Sequence, residues 1–348
     1  MRTTTCRTYI ITGMNKLTKK NIRIIVGIPA GLIAVVLAAA IILTVIPLFE
    51  KADKTPVEGS QEWMKKLDNE KYISDVILPG THNSASSHAV LPFFSRCQSF
   101  SVSEQLDKGF RYLDIRLDAV DDGLRLVHGV SKCRNGLMAW SGDLMLGTIL
   151  DECYAFLDAH PTEFIVFAIK QDHGDESVSE FETLVKTYID RNPKYWLLTD
   201  NLPTVGQARG KIVLMRRYSD ALNLKASSGI SYIWKEQENR EDTHLAAESI
   251  RNGPYRLTMQ DRFKYNVEDK WAAFLSGLKS AEGEKGRREL AVNFLSTTGD
   301  VAYGHPYGTA KKLNAKLMAE DSPELSGWII VDFGTAKIAE RIYNSNFK

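Results

Sequence analysis

Apolar residues in this chain gather into short unbroken runs, and most of these runs end at a charged or amide side chain. Beyond Trp63, the runs at 75–78, 112–117, 124–127, 164–169, 212–215, 256–259, 290–295 and 328–331 predict strands. Continuous runs, rather than strict alternation, suit a parallel sheet covered on both faces. Between them, apolar residues at helical spacing predict helices over 103–108, 144–159, 177–190, 268–278, 309–319 and 336–343, two of them stopped by Pro161 and Pro193. The order implies an α/β chain folded as an irregular (β/α)8 TIM-type barrel, irregular because some strands follow one another with little helix between. An open doubly wound sheet is the alternative, and no Gly-rich phosphate loop supports it.

The N-terminal segment has a different pattern. Arg2, Arg7, Lys16, Lys19 and Lys20 precede a stretch from Ile24 to Phe49 without one charged residue. As a helix it would span about 39 Å at about 1.5 Å per residue, against a bilayer core about 30 Å thick. It is much longer than a signal-peptide core of about 7–15 residues. The expected organisation is therefore a basic leader (1–21), a transmembrane anchor (22–49), a polar linker (50–65) and a barrel domain (66–348). The basic leader places the N-terminus on the cytoplasmic side and the barrel outside, with a secreted form if the anchor is cleaved.

Composition adds little to this picture. Lys and Arg number 44 against 43 Asp and Glu, a net charge of +1, so no nucleic acid or other polyanionic partner is expected. A monomer is expected. Of the four cysteines, Cys6 lies in the leader; Cys97 and Cys133 sit in loop-like sequence and form the preferred disulfide pair, and Cys153 reads as a buried helix thiol. No spacing resembles a zinc-ligand pattern.

The chemistry sits where the apolar runs end. After "DVIL" comes Pro79-Gly80-Thr81-His82-Asn83; "YLDI" carries Asp114 and ends at Arg116; "LRLV" is followed by His128. Lys170, the pair Arg216-Arg217, the pair Gln260-Asp261, and Asp332 follow four further runs. In a parallel barrel such ends share one face, so these side chains would converge on one pocket. Two histidines, an arginine and aspartates can supply a base, an acid and an anion clamp, enough to split a phosphodiester without a metal. His88, His160, His173, His244 and His305 share no spacing and read as loop or helix-end residues, the His305 loop alone being able to line the pocket, with Tyr303 and Tyr307; Trp140 and Phe93-Phe94 read as loop packing in preference to core or membrane contact, and 283–289 as a solvated loop.

The blocks "ILPGTHNSAS", "GFRYLDIRL", "LRLVHG", "EFIVFAIKQ", "RGKIVLMRRYS", "TMQDRF" and "GWIIVDF" resemble, in order, those of bacterial-type phosphatidylinositol-specific phospholipase C, over roughly 66–345. The resemblance implies cleavage of phosphatidylinositol to diacylglycerol and inositol 1,2-cyclic phosphate. It implies His82 as general base on the inositol 2-hydroxyl, Asp332 as its orienting carboxylate, Arg116 as clamp on the phosphoryl oxygens, and His128 as the acid for the leaving oxygen. Asp114 would brace Arg116 or a histidine, and Lys170, Arg217 and Asp261 would bind the inositol hydroxyls. Calcium-dependent relatives use acidic ligands where this chain has Arg116 and Lys170, so no metal or other cofactor is expected.

Two positions depart from that pattern. Asn83 replaces an Asp that assists the histidine acid; a neutral amide can orient His128 but stabilises its protonated form less. Phe263 replaces a Tyr beside the inositol ring and loses a hydroxyl. These departures leave open a glycosyl-phosphatidylinositol or another phosphodiester lipid as substrate, or a degenerate head-group-binding module.

Overall fold

The strand Leu78–Thr81 (β1) is buried along its whole length and lies at the middle of a mostly parallel sheet. The computed structural model describes residues 19–348 apart from 122, 139, 175, 219–228, 238–246, 253, 282–288 and 301–303. The expectations for the leader, Cys6, His244, Tyr303 and most of loop 283–289 therefore fall outside the described residues.

A helix, Lys19–Thr44 (α1), precedes β1. After β1 come Pro92–Ser95 (α2), Val102–Asp107 (α3), Tyr112–Val120 (β2), Gly123–His128 (β3), Ser131–Lys132 (β4) and Leu146–Ala159 (α4). Ile165–Gln171 (β5), Val178–Arg191 (α5), Trp196–Leu197 (β6), Val205–Ala208 (α6), Ile212–Arg216 (β7) and Ile230–Ser231 (β8) form the next part. Glu248–Asn252 (β9), Tyr255–Gln260 (β10), Val267–Ala281 (α7), Glu289–Phe294 (β11), Pro306–Leu317 (α8), Trp328–Val331 (β12) and Ala336–Tyr343 (α9) complete it.

Parallel pairing runs β6-β7-β5-β2-β1-β12-β11-β10, and β9 joins β10 antiparallel. β8 pairs with β7. Among the described residues, the ring closes through one isolated parallel bridge, Gln237↔Arg262, just beyond β8 and β10. The result is an irregular TIM-type barrel whose wall is β1, β2, β5, β7, β8, β10, β11 and β12.

Side chains of β2 show how the sequence pattern encodes two buried faces. Tyr112 belongs to the cluster filling the barrel, whereas Leu113, Ile115 and Leu117 pack with Ile149 and Leu150 of α4 and Phe181 and Val185 of α5. Strand alternation therefore puts Tyr112, Asp114 and Arg116 on one face. Three of the described α-helices begin on full capping boxes, Ser101 with Glu104, Ser177 with Glu180 and Thr204 with Gln207, which satisfy amides at each start.

Several expectations shift. The first strand begins at Leu78, three residues later than the apolar run, and includes Pro79 and Gly80, which in isolation signal a turn. Tertiary pairing with β12 and β2 overrides that signal. Gly80 is required there, because a Cβ would lie 2.5 Å from Ile330 and 2.7 Å from Tyr112.

The run at 124–127 is not a barrel strand: β3 returns antiparallel along β2. The link between them is too short for a crossover, and Gly123 adopts φ 125° to make the return. His128 thus sits at the end of a hairpin. The disulfide is also corrected. Cys97, Cys133 and Cys153 are all free and buried; Cys97 lines the cleft described below, while Cys133 packs in the outer core.

Side chains of α1 are described only beyond Ala30, and there Leu32, Val35, Val36 and Leu37 are exposed. Among the described residues, no helix is long and apolar enough to cross a membrane.

Candidate active site

His82 leaves the end of β1 and Asp332 the end of β12, two paired neighbours. Their side chains meet, His82 Nδ1 to Asp332 Oδ1 at 2.8 Å. Each is followed by a non-glycine residue at positive φ, Asn83 at 46° and Phe333 at 49°. The Phe333 conformation is costly and is held by its amide donating to Cys97 O at 2.7 Å. Gln98 Nε2 donates to His82 O (2.8 Å) and Val331 O (3.0 Å), tying both strand ends together. Ser84 completes the brace by accepting from the Asp114 amide at 2.8 Å through Oγ.

Arg116 Nη2 approaches His82 Nε2 at 2.9 Å. An arginine only donates and a carboxylate only accepts, so His82 carries its proton on Nδ1 and presents an unprotonated Nε2. That is the tautomer a general base needs. Asp114 fixes the guanidinium, accepting from Arg116 Nε at 3.1 Å and from the Asn83 amide at 3.0 Å. Burial alone would raise the Asp114 carboxyl, but Arg116, His82 and Arg217 hold it below the usual range.

Across the cleft, His128 Nδ1 donates to Ser95 O at 2.8 Å, leaving Nε2 for a substrate. The two imidazoles stand 5.9 Å apart, edge to face at 86°. Burial, with the charges of Arg116 and His82, lowers His128 from 6.5 to about 4. A phosphodiester arriving beside Arg116 brings the negative charge that favours the protonated form.

His82, Arg116, His128, Lys170, Arg217, Asp261, Phe263 and Asp332 all line one cleft of about 710 Å³. Of the sequence-derived set, Asp114 lies behind Arg116, and Asn83 stands apart. Asn83 is buried, does not line the cleft, and its Nδ2 has no hydrogen-bond partner among the described residues. It therefore does not orient His128 as expected; the Ser95 carbonyl does. Arg216 also departs, lying 3.6 Å from Glu182 of α5 rather than in the cleft.

The head-group side is a charge lattice. Arg217 Nη2 lies 3.2 Å from Glu236 and 3.6 Å from Asp261, with its guanidinium 3.6 Å over the Trp234 ring. Trp234 Nε1 donates to Asp261 Oδ2 at 3.1 Å. Arg217 Nη1 is buried with no hydrogen-bond partner among the described residues, a donor free for a hydroxyl.

Sequence reasoning missed Asp172 and Glu236. Asp172 meets Lys170 at 2.9 Å and Arg116 at 3.6 Å, and accepts from the Gly129 amide at 2.7 Å. Burial would raise its carboxyl, but Arg116 and Lys170 hold it far below the usual range. Its signal was present: it lies two residues beyond Lys170, the spacing that puts strand residues on one face. Glu236 had none, since its segment carries no periodicity. Cys97, expected as half of a disulfide, instead offers a donor atom that lies with those of His82 and Asp332 within 4.8 Å of one another.

A parallel barrel with a carboxylate-oriented histidine and a guanidinium at its strand ends, and a second histidine facing them, defines the class, a barrel enzyme equipped for phosphoryl transfer. The PI-PLC X family model matches residues 68–250, over half of the sequence, and the chain belongs to that family. The 1-phosphatidylinositol phosphodiesterase of Staphylococcus aureus (strain Newman) is similar, 29% identical over 312 residues covering 83% of this chain and 95% of that protein. The 1-phosphatidylinositol phosphodiesterase of Listeria monocytogenes is 24% identical over 314 residues, 84% and 87% respectively. A solved phosphatidylinositol-specific phospholipase C from S. aureus, with pentafluoro-Phe incorporated, matches with TM-score 0.67 and 26% identity over 83% of this chain and 98% of that one.

Proposed function

We propose that this chain is a phosphatidylinositol-specific phospholipase C working by metal-independent intramolecular phosphoryl transfer. The observation that carries the reading is the pair His82 and His128 facing each other at 5.9 Å, with Asp332 behind the first and Arg116 beside it. His82 Nε2 takes the proton of the inositol 2-hydroxyl, and that oxygen bonds to phosphorus. The bond from phosphorus to the diacylglycerol oxygen breaks, and His128 Nε2 supplies the proton that the leaving oxygen needs. Arg116 stabilises the charge growing on the phosphoryl oxygens through its planar donors. The products are diacylglycerol and inositol 1,2-cyclic phosphate.

Lys170, Arg217 and Asp261 bind the inositol hydroxyls, and Phe263 offers the ring an apolar face. Fixed cations at Arg116, Lys170 and Arg217 supply the charge that calcium would otherwise bring. The test is release of cyclic inositol phosphate from phosphatidylinositol vesicles in chelator. His82→Ala should abolish it; turnover that requires added calcium would overturn the reading.

The protein acts as a monomer anchored by its N-terminal helix, with the barrel outside the cytoplasm. Support comes from the charge-free run 24–49, the helix over Lys19–Thr44 and the basic residues before it. Flotation of the full chain with vesicles through a carbonate wash tests this.

A further inference from the structure

The segment that leaves α1 does not behave as a free linker. Arg96 Nη2 donates to Pro47 O at 2.7 Å and also grips the Glu50 carboxylate. The other Glu50 oxygen meets His305 Nε2 at 2.5 Å. The Glu50 side chain is only 6% exposed, so a carboxylate within a polar tether is nearly withdrawn from water between a guanidinium and an imidazole. Such withdrawal is costly unless the geometry is held. It is held: Phe93 stacks flat on His305, with ring centroids 4.2 Å apart and planes 6° from parallel. Tyr307 Oη donates to Lys51 O at 3.4 Å, and Lys337 pairs with Asp53 at 3.3 Å.

The two residues that hold Glu50 in this strap, Arg96 and His305, are each next in sequence to residues that line the cleft. Phe94 and Ser95 line the cleft immediately before Arg96, and Gly304 and Pro306 line it on either side of His305. Ser95 also supplies the carbonyl that orients His128. The end of α1 and the turn Ile46–Phe49 both pack against α2, which carries Phe94 and Ser95 at the lip of the cleft. Five residues lie between Thr44 and Glu50, at most roughly 20 Å of chain. Phe49 is 76% exposed beside this lip, and the cleft-lining Leu91 and Val130 are exposed as well. Apolar groups left in the open around a mouth suit an apolar phase better than water.

We propose that the Glu50–Arg96–His305 clamp fixes the mouth of the cleft against the bilayer that holds the N-terminal segment, so that the enzyme takes lipid from its own membrane. The inference rests on the anchored-phospholipase reading given above. The clamp restricts orientation as well as distance, which raises the effective concentration of lipid in the same membrane beyond what a flexible tether would give.

The test places the full chain in vesicles whose phosphatidylinositol carries one label, mixed with protein-free vesicles carrying a second. Wild-type protein should consume the first label at least about tenfold faster than the second. Glu50→Ala and, separately, His305→Ala should lower the rate on the first label several-fold, leaving the rate on short-chain phosphatidylinositol in solution unchanged. An unaltered preference in both variants overturns the clamp. A rise in activity on the soluble substrate in either variant also overturns it, because the strap would then be a lid. Failure of the chain to float with vesicles removes the anchor, and silence on short-chain substrate removes the activity; each of these defeats the proposal by a separate, recognisable route.

Discussion

Asp172 and Arg116 face each other in the cleft, carboxylate Oδ1 3.6 Å from guanidinium Nη1, while the second Asp172 oxygen holds the amide next to His128. One buried carboxylate thus touches both the Arg116 guanidinium and the hairpin that carries His128. Its negative charge favours protonated His128. Asp172→Asn should lower kcat by about 10–100-fold, a part of the range for acid–base catalysis. The descending limb of kcat/KM should move to lower pH, because losing that charge lowers His128 further. A fall in kcat without movement of the limb would confine Asp172 to scaffolding.

His128 itself makes the free enzyme and the substrate complex titrate differently. Burial lowers it to about 4 in the free protein, and bound phosphate should raise it, so the descending limb of kcat should lie at higher pH than that of kcat/KM. Stability has its own sign. Between pH 6.5 and 4 the unfolded chain binds the proton that folded His128 refuses, so stability falls as pH drops through that window. His128→Gln should flatten this part of an unfolding curve measured against pH.

Asp332→Asn keeps the size of the side chain but can donate to His82 Nδ1, which turns the proton to Nε2 and against Arg116. The expected loss is about 10²–10⁴-fold in kcat with KM little changed. Full activity in the Asn variant would show that tautomer control is unimportant.

Asn83→Asp does not restore an acid helper here. The amide of Asn83 already donates to Asp114, and its side chain is buried away from the cleft. A second carboxylate there should cost about 3–5 kcal/mol, the range for an uncompensated buried charge. Urea unfolding measures the loss; higher activity without it would return Asn83 to the catalytic apparatus.

Gly80→Ala would drive a methyl into Ile330 and Tyr112. Overpacking of this kind costs about 1–3 kcal/mol, and it strikes two residues before His82. Thermal unfolding should fall, and kcat with it, as β1 shifts against β12.

Arg111 is fully buried, donating to Glu163 through Nε and Nη2, both at 3.0 Å, and to the carbonyls of Leu106, Phe110 and Gln61. Arg111→Ala should cost about 3–5 kcal/mol by leaving Glu163 unpaired. The double variant with Glu163→Ala should recover part of that loss in the same unfolding assay.

Much of the site was legible because a parallel strand buried on both faces reads as an apolar run, and the first polar residue after it marks the functional rim. His82, Arg116, Lys170, Arg217, Asp261 and Asp332 were found that way. The clamp of Ser95 on His128 was not, since it depends on a carbonyl and on the packing of a four-residue helix. The β2–β3 hairpin escaped because a buried antiparallel run has the same composition as a parallel one. Cys97 and Cys133 looked like disulfide partners for want of any local sign that each is enclosed in a different core environment. Glu236 depends on the barrel's last turn, which no local pattern encodes.

The bridge Gln237↔Arg262 gives this barrel a seam. His82, Arg116 and Asp332 leave β1, β2 and β12, which pair side by side in the parallel wall. Trp234, Glu236 and Asp261 stand on the other arc, where among the described residues the wall is stitched by a single bridge and the Gln237 side chain. Rigidity and adaptability are thereby allotted to opposite arcs of one ring. Substitutions along the seam can retune which polyol is admitted while the distances between the two histidines and the guanidinium stay as they are.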